Sequence, residues 1–329
     1  MSGEAETIGV DLGGTKIQVG VLAGVETLWE SRETSRGQDQ DELVELLVRE
    51  VNAARAARPD AVAVGLGVPA TIDQKRGVAI SAVNLPLLDL PVRDVVSERV
   101  GLPVFLDNDG NVAAFAEHLY GAACGMPTMV MLTIGTGIGG GLILGGEIFR
   151  GATGAGAELG HVVIQADGPP CQGNCPNHGC VEALASGTAL GREGRAVAES
   201  APDSALGKLL AEGREVDGLA VTEAALAGDE TSIGVFELIG GRLGVACASF
   251  ANIFEPEVIV IGGGVIKAGD LLLDPARKEV RERALRPMNE TPIVAATLGN
   301  DAGMIGAAAL ARTELEKQIE LEPAPETLG

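Results

Sequence analysis

The feature that most constrains this chain is a hairpin design that occurs twice. Thr7 to Asp11 reads as a strand, Gly13-Gly14-Thr15 as a tight turn and Ile17 to Ala23 as the returning strand. Thr128 to Ile134, the glycine run Gly135-Thr136-Gly137-Ile138-Gly139-Gly140-Gly141, and Leu142 to Leu144 repeat it. This is the one internal self-similarity in the sequence, and it predicts two related lobes. Glycine turns let bare backbone N–H groups approach phosphate oxygens, and a threonine hydroxyl adds a donor. One such turn reads equally well as an ordinary hairpin. Two of them, followed by Gly262-Gly263-Gly264 at the exit of an apolar strand over Glu257 to Ile261, point to a phosphate-bearing ligand.

Neither turn has the spacing of a Walker A loop, and neither leads from strand into helix as a dinucleotide fingerprint does. The 329 residues are 46% hydrophobic but only 2% aromatic, so the core must be built from Ala, Val, Leu and Ile, which suits α/β layers. A net charge of −22 makes nucleic acid and anionic membranes poor partners. It would also repel a polyanionic nucleotide unless backbone amides and Mg²⁺ handle the phosphates locally. No signal peptide is expected ahead of the first strand, and no apolar run of about 18 residues is free of charge or glycine clusters, so no transmembrane helix is expected either. With an odd number of cysteines, three of them clustered, the chain is expected to be cytoplasmic.

Between the hairpins the pattern alternates. Asp41 to Arg58 carries leucines and valines at helical spacing, Ala61 to Leu66 is a compact strand, and Pro103 to Leu106 is another, ending in Asp107-Asn108-Asp109 before a helix over Asn111 to Tyr120. Polar residues at a strand's C-terminal end stand where α/β ligands bind. Asp109 there fits two roles equally: a base for a hydroxyl proton, or a cap for the helix that follows. Further on, Ser232 to Phe254 is a long apolar helix and Ala302 to Arg312 a final one, with a charged, frayed tail expected after Thr313.

Gly151 to His161 is a small-residue loop ending in Glu158 and His161, and ten residues later come Cys171, Cys175 and Cys180. Three thiolates and one imidazole make a closed tetrahedral zinc site, for which both His161 and His178 are candidates by position. A zinc ribbon for nucleic acid conflicts with the acidity and the lack of a basic patch.

The ordered motifs Asp11-Leu-Gly-Gly-Thr-Lys-Ile17, Gly67-Val-Pro69, Asn84-Leu-Pro86, Asp107-Asn-Asp109, Ile134-Gly-Thr-Gly-Ile-Gly-Gly-Gly141, Gly156-Ala-Glu158-Leu-Gly-His161 and Gly179-Cys-Val-Glu182 together resemble the ROK family (repressors, open reading frames and sugar kinases), and within it the bacterial glucokinases. The match runs from Ile8 to about Ala311.

That resemblance implies an α/β, two-lobed actin-like ATPase (ribonuclease-H-like) fold with mixed sheets in both lobes and ATP and sugar in the cleft. The small lobe would span 1–115 plus the last helix at about 300–315, and the large lobe 116–299, with 316–329 an acidic tail. It implies that ATP with Mg²⁺ phosphorylates glucose. Asp11, Gly13, Gly14, Thr15, Lys16, Gly135, Thr136, Gly137, Gly262, Gly263 and Gly264 would serve the nucleotide. Asp109 would be the general base, and Asn84, Asn108, Asp109, Glu158, His161 and Glu182 would hold the sugar. It favours His161 over His178, with Cys171, Cys175 and Cys180, around one structural Zn²⁺. The family places its first two cysteines as Cys-x-Cys; here two more residues separate Cys171 from Cys175.

A homodimer or homotetramer is expected, as in such kinases. Rivals are an N-acetylhexosamine kinase, a polyphosphate donor in place of ATP, and a sugar-responsive regulator of the same family. The last would need a helix-turn-helix ahead of the first turn, where only six residues stand before Thr7.

Overall fold

The computed structural model describes residues 4–82 and 84–321 and divides them into two compact units. The first unit takes the chain through Tyr120, the short segment Arg150–Gly156 and the chain from Asn300 on; the second takes Gly121–Phe149 and Ala157–Gly299.

In the first unit β1 (Thr7–Leu12), β2 (Lys16–Ala23) and β3 (Glu26–Thr34) form an antiparallel meander. Helix α1 (Gln40–Ala57) then leads to β4 (Val64–Val68), which lies parallel to β1. A small sheet follows, made of β5 (Ala70–Asp73), β6 (Val78–Ala82) and β7 (Leu88–Leu90), then α2 (Val92–Val100), β8 (Val104–Asn108) and α3 (Asp109–Tyr120). The main sheet runs in the order β3-β2-β1-β4-β8. Helix α1 starts where the sequence supplies a capping box: Asp39 accepts from the Glu42 N–H while the Glu42 side chain accepts from the Asp39 N–H, a device that contributes about 1 kcal/mol. Its Leu43, Leu46, Leu47 and Val51 are buried, each removing enough apolar surface from water to contribute about 2 kcal/mol.

The C-terminal helix Ala302–Leu321 packs closely onto this sheet at its bare glycines. A Cβ on Gly9 would lie 2.1 Å from the Met304 carbonyl, and one on Gly65 1.8 Å from that of Ala307. The helix continues nine residues past Arg312, where the sequence suggested a frayed tail; residues 322–329 lie outside the described part. The strand expected from Ala61 begins instead at Val64.

The second unit repeats the plan. Its elements are β9 (Met129–Ile134), β10 (Ile138–Leu144), β11 (Glu147–Ile148), α4 (Val181–Ala185), α5 (Gly187–Ser200), α6 (Ala205–Ala211), α7 (Gly218–Leu226), α8 (Glu230–Phe254), β12 (Val258–Gly262), α9 (Asp270–Arg283) and β13 (Ile293–Ala295). The sheet order β11-β10-β9-β12-β13, with an antiparallel meander and then parallel strands, is the order of the first sheet. The returning strand of this hairpin is longer than the sequence suggested, because Gly139, Gly140 and Gly141 all pair with β9. Helix α8 is long and apolar enough to cross a membrane by length and composition, but its Phe236, Ile239, Leu243, Cys247 and Phe250 are buried in the unit's core. Bare Gly240 and Gly244 bring α9 close: a Cβ on either would meet an α9 carbonyl at 2.5 or 2.7 Å.

Candidate active site

In the first unit, Asp11 is the penultimate residue of β1, opposite Gln18, and the turn closes with the Gly13 N–H donating to the Lys16 carbonyl at 2.8 Å. Buried Ser35 braces the turn from outside, its hydroxyl donating to the Gly13 carbonyl at 2.7 Å and its N–H to that of Thr15. Gly14 faces Asn84, whose Cβ would be 3.0 Å from a Cβ placed on the glycine. The Asp11 carboxylate abuts Gly303 at the start of the C-terminal helix, where a Cβ would come 2.6 Å from the carboxyl carbon.

Burial raises the Asp11 pKa to about 6; the Asp109 charge adds to this, and Lys16 opposes it. The folded protein therefore holds this proton more tightly than the unfolded chain does. Ionised Asp11 costs stability progressively as the pH rises from about 4 to about 6. A divalent cation beside the carboxylate would remove that cost.

The Asp107-Asn108-Asp109 run closes β8 and opens α3. Asp109 is the first residue of the helix, and the side chain of Asn108 caps it, accepting from the N–H groups of Gly110 at 2.8 Å and Asn111 at 3.4 Å. The capping role that the sequence left open for Asp109 thus falls to its neighbour. Protein packed around the Asp109 carboxyl raises its pKa, against the opposing pull of the Gly110 and Asp109 N–H groups and the Asn108 amide. Asp107 is fully buried and ion-paired to Arg150, a residue no sequence motif singled out.

In the second unit the turn between β9 and β10 is closed by the Gly135 N–H on the Gly137 carbonyl at 2.9 Å. The start of α5 is stitched to it: the Gly187 N–H donates to the Gly135 carbonyl, and the Thr188 hydroxyl to that of Thr136, each at 2.8 Å. The third glycine run fits against the same turn. Gly263 has φ +86°, and a Cβ there would sit 2.4 Å from the Ile134 carbonyl. Gly135, Thr136, Gly187 and Gly264 line a cavity of about 730 Å³, with apolar Val216, Leu219 and Val265 and charged Glu215, Asp217 and Lys267. A lining that combines the glycine and threonine turn with apolar side chains suits a nucleotide. Gly135, Thr136 and Gly264 of this cavity were singled out in the sequence; Gly187 and the walls were not.

The same unit brings His161, Cys171, Cys175 and Cys180 together, their ligand atoms all within 4.8 Å of one another. Cys175 Sγ and Cys180 Sγ are 3.9 Å apart, close to the ~3.8 Å edge of a tetrahedron with ~2.3 Å metal–sulfur bonds. His161 presents Nδ1 to Cys171 Sγ at 3.5 Å. His178 lies outside the cluster, its Nδ1 3.3 Å from the Gly168 carbonyl. Burial pushes up the Cys171 and Cys180 thiols; Cys175 and Glu182 add to both, and Cys180 adds to Cys171, while the Cys171 sulfur pulls Cys180 the other way. A cation would resolve that conflict, so the donor set fits a metal ion.

Glu182 joins the two features. One carboxylate oxygen accepts from the Ile138 N–H at 2.8 Å, and the other lies 3.6 Å from Cys171 Sγ. Gln172, next to the first cysteine, donates to the Ser186 hydroxyl at 3.1 Å and reaches the Thr136 carbonyl at 3.4 Å. Glu158 is exposed and follows Ala157, which is held at φ +64°, a conformation costly for a residue with a Cβ.

The model of the ROK family matches residues 7–314. The chain is 35% identical over 315 residues to a glucokinase of Streptomyces coelicolor, covering 93% of this chain and 97% of that one. Its structure is similar to that of a ROK family glucokinase from Streptomyces griseus in complex with glucose and AMPPNP (36% identity, TM-score 0.82, 94% of this chain and 99% of that one). It is also similar to a ROK hexokinase from Thermus thermophilus (35% identity, TM-score 0.78, 95% and 99%).

Proposed function

The chain belongs to the ROK family, and on that premise we propose that it transfers the γ-phosphoryl group of ATP to the 6-hydroxyl of glucose, giving glucose 6-phosphate and ADP. Its fold is the α/β, two-lobed actin-like ATPase fold with a mixed sheet in each unit. The observation that carries the reading is the end-to-end likeness to a glucokinase solved with glucose and a nucleotide analogue. The Asp109 geometry supplies the chemistry: because Asn108 caps the helix, the Asp109 carboxylate is left to take the hydroxyl proton as the sugar oxygen attacks phosphorus.

Phosphoryl transfer demands positioning and charge neutralisation more than covalent participation. Backbone N–H groups of the Gly13-Gly14-Thr15 turn, with Lys16, and of the Gly135-Thr136-Gly137 turn would hold phosphate oxygens, and the Gly262-Gly263-Gly264 exit would flank the nucleotide. Mg²⁺ would lie near Asp11, whose raised pKa suits a cation partner. Asn84 and Asn108 in the first unit, and Glu158, His161 and Glu182 in the second, would bind sugar hydroxyls. Zn²⁺ is the ion we assign to His161, Cys171, Cys175 and Cys180. Four protein ligands leave it no open position, so it would fix a loop and take no part in the transfer.

A panel of glucose, N-acetylglucosamine, N-acetylmannosamine and fructose, each with ATP or polyphosphate, tests the substrate assignment. ADP release should be fastest with glucose and ATP, with kcat/KM at least about 10-fold above either N-acetyl sugar. A reversed order makes the chain an N-acetylhexosamine kinase. If no sugar stimulates transfer from either donor, the regulator reading replaces the kinase.

A further inference from the structure

We propose that Arg150 is a positioning residue for this reaction, acting through the buried carboxylate of Asp107 to hold the Asn108–Asp109 strand end in place; this rests on reading Asp109 as the base and Asn108 as a sugar ligand.

Asp107 has no exposed surface. One of its oxygens accepts from the Asn108 N–H and from the Asn111 side chain, each at 2.8 Å, which ties the last residue of β8 to the first turn of α3. The other accepts from Arg150 Nε at 2.6 Å. A buried carboxylate needs a compensating charge, and Arg150 is the cation paired with it among the described residues. Arg150 is itself anchored: its Nη2 reaches Glu314 of the C-terminal helix at 3.3 Å, and its carbonyl accepts the N–H groups of Gly154 and Gly156, folding the segment back on itself. Gln74 fastens that segment to β8 a second time, its N–H on the Thr153 carbonyl at 3.1 Å and its amide on the Leu106 carbonyl at 2.9 Å.

The two residues proposed to touch the sugar thus stand on a charge pair whose cationic half comes from 43 residues further along the chain. Without Arg150, the Asp107 carboxylate is left buried and uncompensated. It can recover hydration only by turning away, which releases the Asn108 N–H and Asn111 together. Displacement of a reacting group by about 1 Å is enough to cost about 100-fold in rate.

Three variants test this: Arg150→Met, Arg150→Lys, and Arg150→Met combined with Asp107→Asn. In Arg150→Met, kcat should fall by about 30-fold or more and glucose binding by calorimetry should weaken, while the KM for ATP stays within about twofold. Arg150→Lys should recover part of the loss by restoring charge without the fork. The double variant should return kcat to within about fivefold of the parent, because an amide at 107 still accepts from the Asn108 N–H and Asn111 but no longer strands a charge. Parental kcat and glucose affinity in Arg150→Met would overturn the assignment, as would a double variant no better than the single one, which would make Arg150 a packing residue. The base reading fails separately: Asp109→Asn with normal turnover would remove the base, whereas Arg150→Met in that same background should still weaken glucose binding.

Discussion

Replacing Asp109 with asparagine should lower kcat by at least about 100-fold while glucose binds within about threefold of its normal affinity. The substitution separates chemistry from architecture. The N–H groups at the start of α3 are satisfied by Asn108, so an amide at 109 leaves the helix start as it was. It removes the proton acceptor and the charge near Asp11 that helps to raise the Asp11 pKa. The variant should therefore melt no lower than the parent. Near-normal turnover in steady-state assays would return Asp109 to a structural role.

Loss of the metal should have the second large effect. Purified protein should contain about one zinc per chain, and Cys175→Ser or His161→Ala should lose it, whereas His178→Ala should keep it. Melting should drop by roughly 5–10 °C without the ion, since its binding free energy is folding free energy for the loop it closes. Two functional losses should accompany this. His161 and Glu182 would no longer be held for the sugar, raising the glucose KM. Because Glu182 holds the Ile138 N–H and Gln172 reaches Thr136 and Ser186, the glycine turn and the start of α5 should loosen, weakening AMPPNP binding as well. Elemental analysis with calorimetry checks both. A metal-free parent would remove the site, and metal lost with His178→Ala but kept with His161→Ala would exchange the two histidines.

Local chemistry explains what the sequence disclosed. Glycine turns flanked by apolar strands can be read directly, and the Asp11 and Gly135 hairpins stand where that pattern put them. The cysteines are close in sequence, so their meeting needed little more than a loop. The fourth ligand was harder to read: His178 lies two residues from Cys180, yet an isolated bridge between Pro170 and His178 carries its ring toward the Gly168 carbonyl instead. Intrinsic preference misled the reading of Gly139 to Gly141, which resemble a loop but form a strand. A Cβ on Gly140 would lie 2.6 Å from the Ala157 carbonyl and 2.8 Å from the Leu159 Cβ, so packing required glycine inside the ladder. The pairing of Asp107 with Arg150 was invisible for another reason: a contact 43 residues apart leaves no periodicity or spacing to read. The cavity's Val216, Asp217 and Leu219 likewise owe their place to where α7 begins.

The central claim is phosphoryl transfer from ATP to glucose, and ³¹P NMR of one reaction mixture tests it most directly. Purified protein with Mg²⁺, ATP and glucose should convert the γ-phosphate resonance into a sugar 6-phosphate resonance, with ADP and glucose 6-phosphate formed in equal amounts and the ATP spectrum unchanged when glucose is left out. Release of inorganic phosphate independent of glucose, or an unchanged ATP spectrum in the complete mixture, would contradict it.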